Sequence, residues 1–151
     1  MKDMTSTSVY RTIPSTPIRK MTIKDPGSSI THFIGLIMAA LGTAPLLVRA
    51  GRHDSPIYMI SMAVFMASMI LLYAASTTYH TFDVSPSVNK LLKKVDHMMI
   101  SVLIAGSYTP VCLLVLNDRL GLILLGIVWG LAITGILIKA FWIYCPKWVI
   151  E

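Results

Sequence analysis

Three side chains near the middle of the chain could share one reaction: Ser76, His80 and Asp96. Ser76 and His80 are i and i+4, so on a helix they lie on one face a turn apart. An imidazole can ligate a metal, a carboxylate can take a proton, and a hydroxyl can hold either partner by a hydrogen bond. Around a watery pocket these groups suit metal-assisted hydrolysis, because zinc accepts His ligands and brings the pKa of bound water to about 7. A carboxylate outside the coordination shell can then accept that water's proton. Catalytic zinc normally takes three protein ligands, however. A histidine ending a membrane span can equally sit at headgroup level. Spacing alone leaves both readings open.

The elements that must position these residues are membrane helices. Of 151 residues, 55% are hydrophobic and 13% charged, and the mean hydropathy is +0.71. That is too little polar surface for a soluble domain, so the fold class is all-α, a polytopic transmembrane bundle. Four apolar runs, near residues 30–48, 57–80, 97–116 and 120–143, each have about the ~20 residues needed to cross as a helix. Only helices and closed barrels satisfy their backbone in lipid, and these runs are too long for barrel strands. Pro110 should kink the third span. Asn117-Asp118-Arg119 makes a tight turn into the fourth.

Residues 1–29, rich in Ser, Thr and Pro with five basic residues, read as a flexible tail. Asp25-Pro26-Gly27 is expected as a turn, with Ser28 or Ser29 capping the first helix. Ten basic residues fall on one side of this topology: Lys2, Arg11, Arg19, Lys20, Lys24, Lys90, Lys93, Lys94, Lys139 and Lys147. Arg49, Arg52 and Arg119 fall on the other, so the positive-inside rule places the N-terminus in the cytoplasm. Trp142, Tyr144 and Trp148 fit an interfacial aromatic belt at the inner end of span four. The net charge of +6 thus reads as membrane orientation and not as a nucleic-acid surface. Cys112 and Cys145 fall near opposite faces and read as two small apolar residues, unbridged. No cleavable signal peptide is visible.

This topology brings His32, His80, Asp96 and His97 to the cytoplasmic boundary, with His53 alone in the outer loop. Ionisable groups at membrane depth usually face the bundle interior and act there. Asp96, Ile100, Leu103 and Ser107 share a helical stripe, expected to face inward. His97 is turned by about 100° and pairs better with Ser101, in a packing or supporting role. Gly126-x-x-x-Gly130, and more weakly Gly35-x-x-x-Ala39, have the spacing of close helix packing, most simply within the chain.

Three segments carry a resemblance: "DPGSSITHFIG" (Asp25–Gly35), "YAASTTYHTF" (Tyr73–Phe82) and "LLKKVDHMMISVLIAGSYTP" (Leu91–Pro110). In order, spacing and hydropathy, residues 25–148 resemble the hemolysin III branch of the progestin and adiponectin receptor family. The resemblance implies a seven-helix bundle in the bacterial plasma membrane, cytoplasmic N-terminus, and a zinc site near the cytoplasmic face. It implies His80 as a zinc ligand, Asp96 as the residue holding the metal's water, and Ser76 as support. The family's grouping with membrane ceramidases implies a zinc hydrolase acting on lipid amides. Asp25 and Ser28 stand where many relatives have Glu and Asn, a change that preserves capping and hydrogen bonding. The other two implied ligands are histidines of an H-x-x-x-H motif in span seven, and the chain contains no such motif. Read this way, the chain is an N-terminal portion with four of seven spans, expected to bind zinc weakly and to be inactive alone.

Two other functions stand as alternatives, the first suggested by the family's hemolysin name. A membrane-lytic or pore-forming protein needs a polar stripe along a helix, and the centre of span four offers only Thr134. A lipid receptor or scaffold would use the metal structurally.

Overall fold

In a computed structural model, residues 23–116 and 118–141 are described. All secondary structure in them is helical: α1 (Pro26–Ala50), α2 (Pro56–Thr81), α3 (Pro86–Pro110, continued by a π-helical segment, Val111–Leu116) and α4 (Arg119–Phe141). All four are long and apolar enough to cross a membrane.

Three helices begin in the same way. Asp25, Ser55 and Ser85 occupy the N-cap in extended conformation, and each side chain accepts a backbone amide of the first turn. Each is followed by proline, at Pro26, Pro56 and Pro86. Proline has no N–H to leave unsatisfied at the first helical position, and its fixed φ suits the helix. The first helix therefore starts at Pro26, ahead of the expected residue 30, and Asp25 is its cap, not Ser28 or Ser29. α3 starts at Pro86, well before the expected 97, because the polar stretch through Lys90, Lys93 and Lys94 is helical too. Asp118 performs the capping for α4, its Oδ1 accepting from the Gly121 amide at 2.9 Å. The N-terminal tail through residue 22, Asn117, and the C-terminal segment with Trp142, Tyr144, Cys145 and Trp148 lie outside the described residues.

Pro110 marks a change of helix type. Its missing N–H removes the bond that the Gly106 carbonyl would accept, and from Val111 the chain winds as a π-helix. Buried Cys112 sits in this segment.

The helices form an antiparallel row. α2 packs between α1 and α3, α3 packs between α2 and α4, and among the described residues α1 touches neither α3 nor α4. The contact surfaces are made of small residues, with Ala39, Ser61, Ser68, Ala105 and Ala132 all buried. Large apolar residues such as Leu41, Leu71, Val115 and Leu131 point outward. That inversion suits helices whose outer faces meet lipid and whose backbones approach closely. At Gly106 a Cβ would run into the Ser68 side chain, and at Gly35 one would meet the Tyr73 ring at 2.7 Å. Gly126 and Gly130, by contrast, face open space, so their spacing serves no contact among the described residues.

Between helices, Trp129 Nε1 donates to Thr109 Oγ1 at 3.1 Å, while Thr109 donates to the Ala105 carbonyl at 2.9 Å. At the opposite end of the same pair, Lys94 Nζ donates to the Ala140 carbonyl at 2.6 Å. Lys139 Nζ donates to the His97 carbonyl at 3.3 Å. A cation at the C-terminus of α4 satisfies an orphan carbonyl and complements the helix dipole.

Candidate functional site

The antiparallel row places the start of α1, the end of α2, the start of α3 and the end of α4 on one side. There, the residue preceding α1 is held against the last turn of α2. The Asp25 amide donates to the His80 carbonyl at 3.0 Å, and the Lys24 amide to the Thr81 carbonyl at 3.4 Å. Thr81 Oγ1 donates to the Thr77 carbonyl, so the 2.6 Å contact between Ser29 Oγ and Thr81 Oγ1 has Ser29 as donor. Lys24 Nζ lies 3.5 Å over the Tyr79 ring, a cation–π contact that fastens the junction further.

This junction turns His80 toward a carboxylate. Asp25 Oδ1 accepts the Ser28 amide at 3.4 Å, and Oδ2 lies 3.3 Å from His80 Nδ1. Hydrogen bonds from Ser28, side chain first and amide second, hold the Asp25 carboxyl below its ordinary value, and the neighbouring His80 adds to this. An ionised Asp25 accepts the Nδ1 proton and leaves the Nε2 lone pair of His80 available.

One turn deeper, Ser76 is 4% exposed and its Oγ lies 2.6 Å from His32 Nδ1. The i, i+4 spacing associated Ser76 with His80, and the two do share a face of α2. The hydroxyl's hydrogen bond nevertheless crosses to α1 and His32. The His32 and His80 rings are 5.5 Å apart between centroids and nearly perpendicular, at 76°. Tyr73 borders His32 at 6.1 Å. The buried Thr77 Oγ1 has no hydrogen-bond partner among the described residues.

Asp96 is buried at 7% exposure in α3, next to α2 in the row. Among the described residues no hydrogen bond or ion pair joins it to His80. Its expected stripe does not stay inward: Ile100 is 45% exposed, and Ser107 donates to the Ile104 carbonyl of its own helix. Ser101 lies toward Gly135 of α4, and His97 meets α4 through its carbonyl. His53, in the α1–α2 connection at the other end, stacks on Tyr58 at 4.0 Å.

The structure thus brings together Asp25, His32, Ser76 and His80. Sequence reasoning placed His32 at the right depth without giving it a partner, and allowed Asp25 a capping and hydrogen-bonding role without pairing it with His80. The available signals were the Asp-Pro helix start and the Thr31-His32 pair one turn into the helix. Chemically, the cluster offers two imidazoles whose Nδ1 atoms are already engaged. Among the described residues, no group of three or more His, Cys, Asp or Glu side chains is arranged to hold a metal ion.

Comparison with known proteins agrees with this architecture. Residues 21–150 match the family model described as haemolysin-III related. The chain is similar to Hemolysin-3 of Bacillus cereus, 40% identical over 116 residues, which cover 77% of this chain and 52% of that protein. It is also similar to the Hemolysin-3 homolog of Bacillus subtilis (strain 168), 39% identical over 123 residues, covering 81% and 57%. A more distant similarity, 31% over 87 residues, links it to Progestin and adipoQ receptor-like protein 1 of Caenorhabditis elegans, covering 57% and 20%. The chain therefore spans about half the length of the two Bacillus relatives. No solved structure matches.

Proposed function

The chain belongs to the haemolysin-III-related family of multi-pass membrane proteins, and from that premise we propose that it supplies one part of a zinc-dependent lipid-amide hydrolase site. The observation that carries the reading is the Asp25–His80 contact, with Oδ2 3.3 Å from Nδ1. A carboxylate on the far nitrogen of a histidine is the usual support of a zinc ligand, fixing tautomer and ring orientation. The donor set fits zinc in part: His80 would hold the ion, with further ligands contributed from beyond the four spans. Bound zinc would supply Lewis acidity toward an amide carbonyl.

The chain's own residues have distinct tasks in this reading. Asp25 orients His80. Ser76 fixes the neighbouring imidazole at the inner wall of the site. Asp96 accepts a proton at its carboxylate from the attacking water. The excess of Lys and Arg at that end supports its assignment to the cytoplasmic face of a bacterial plasma membrane. The complete site in this proposal needs the region that the longer relatives have beyond the matched half.

Co-reconstitution of this chain with the remaining region of the Bacillus cereus relative, in liposomes containing an N-acyl lipid, tests the proposal. Chelator-sensitive release of fatty acid, lost in His80→Ala and in Asp96→Asn, is the expected result. Leakage of liposome contents that persists in both variants, without fatty-acid release, would replace hydrolysis with lysis.

A further inference from the structure

We propose that the groove between α3 and α4 binds an anionic phospholipid, one acyl chain lying in the groove and the phosphate between Lys93 and Lys139 at its mouth. This face is separate from the Asp25–His80 junction, since α1 touches neither α3 nor α4 among the described residues. Two facing stripes build it. Ser101, Ile104 and Tyr108 line it on α3, and Leu124, Val128 and Leu131 on α4. Its volume is about 430 Å³, within the ~300–1,000 Å³ of small-molecule sites. Toward the basic side, steps of four residues carry the α3 stripe from Ser101 to His97 and Lys93, and the α4 stripe from Leu131 to Gly135 and Lys139. The stripes stay paired there. A Cβ added at Gly135 would lie 3.8 Å from Ser101 Oγ, and one turn on, Lys139 Nζ donates to the His97 carbonyl at 3.3 Å. The lysines thus stand where the groove reaches the headgroup level.

Each part of the site matches a part of the lipid. The α4 wall from Leu124 to Lys139 rises about 22 Å, against ~15 Å for half of the hydrocarbon core. A chain anchored beside Lys139 meets apolar wall through its whole leaflet. Ser101 places a hydroxyl in the groove that makes no hydrogen bond among the described residues. Ser61, Ser68 and Ser107, by contrast, each donate to a carbonyl of their own helix. The Ser101 hydroxyl is free to donate to an ester carbonyl of the lipid. At the mouth, the charges that bear on His97 are Lys139, Asp96 and Lys93, a positive balance. Asp96 is buried, whereas both lysines are exposed. Lys139 uses one N–H on the His97 carbonyl and keeps two for a phosphate. Basic pockets between membrane helices on the cytoplasmic side recognise anionic headgroups in this way. The apolar groove alone would take any acyl chain, and the lysines select the anionic lipid.

The test uses the 151-residue chain in phosphatidylcholine bilayers, with trace phosphatidylglycerol or phosphatidylcholine, spin-labelled on the same acyl chain, as probe. Electron paramagnetic resonance should show a motionally restricted fraction that favours phosphatidylglycerol. A lysine near an anionic headgroup is worth about 5-fold, so Lys93→Gln and Lys139→Gln should each lower the preference by about that factor. Lys24→Gln removes the same charge from the same side of the membrane, but at the α1–α2 junction, and should leave the preference nearly intact. Gly135→Leu fills the groove beside Ser101 without changing charge and should lower the preference as well. Helicity by circular dichroism separates loss of the site from loss of the fold. An equal drop in Lys24→Gln would overturn the proposal in favour of diffuse surface charge. A preference unchanged in both Lys93→Gln and Lys139→Gln, or in Gly135→Leu, would also overturn it. Loss of the preference on co-reconstitution with the remaining region of the Bacillus cereus relative would overturn it too, assigning the groove to a packing helix.

Discussion

Gly35→Ala isolates the packing that brings α1 against α2. An added Cβ would lie 2.7, 2.9 and 3.0 Å from Cε1, Cζ and Cδ1 of Tyr73, against an optimum of about 3.5–4.0 Å between carbons. The ring must therefore retreat, or the helices must separate, by roughly 0.5–1 Å. His32 lies on the other side of this contact region, its ring centroid 6.1 Å from that of Tyr73. Overpacking of this kind costs about 1–3 kcal/mol, while replacing a mid-helix glycine by alanine returns about 1 kcal/mol of helix propensity. Gly42→Ala supplies the reference, because a Cβ there meets nothing within 4 Å. Propensity cancels between the two variants, so Gly35→Ala should be less stable than Gly42→Ala by about 1–3 kcal/mol. Unfolding by sodium dodecyl sulfate in mixed micelles, followed by helicity, reads the difference. Tyr73→Ala should remove it, so that adding Gly35→Ala in that background is neutral or stabilising. Equal stability of Gly35→Ala and Gly42→Ala, or a penalty that survives Tyr73→Ala, would refute the close approach as the cause.

Other expectations concern single contacts. Asp25→Ala should loosen the start of α1 by removing its cap, whereas Asp25→Asn should keep most of the capping; faster amide exchange at Ser28 in the alanine variant reads this. Lys94→Met keeps the aliphatic stem but loses the charged hydrogen bond to the Ala140 carbonyl, so α4 should loosen at that end by about 1.5 kcal/mol, visible as local hydrogen exchange. Trp129→Phe should cost about 1 kcal/mol in the same unfolding assay, because Thr109 keeps its bond to Ala105. For orientation, an impermeant thiol reagent added to intact cells should label His53→Cys, and Lys90→Cys only after permeabilisation, in a background with both native cysteines replaced.

The spans were legible because lipid imposes one demand, a long apolar run. Their starts were less so. Apolarity reports where lipid is, while the helix begins wherever a cap and a proline allow, which moved α3 back to Pro86. The depth of His32 and His80 followed from topology, and the i, i+4 spacing correctly set Ser76 on the same face as His80. Which neighbour the hydroxyl meets depends on the rotation of α1 against α2, governed by Gly35 and Tyr73, and no local pattern encodes that. The Asp25–His80 contact is of the same kind, a pairing across the whole length of two helices. The stripe from Asp96 to Ser107 failed for a simpler reason. Periodicity identifies a face, and in a row of helices different levels of one face meet a neighbour or lipid.

The capped prolines have a consequence for how these helices meet bilayers of different thickness. A 26-residue α2 is about 39 Å long, against roughly 30 Å of hydrocarbon. A span can relieve such an excess by fraying at an end or by tilting. Fraying is discouraged at the N-termini of α1, α2 and α3, where an oxygen acceptor and a locked φ hold the first turn. Thinner membranes should then change the tilt of the row before they change where its helices begin. Because the Asp25 that caps α1 is also bonded to the end of α2, those two spans should tilt as one plank, carrying the His32–His80 cluster with them unchanged.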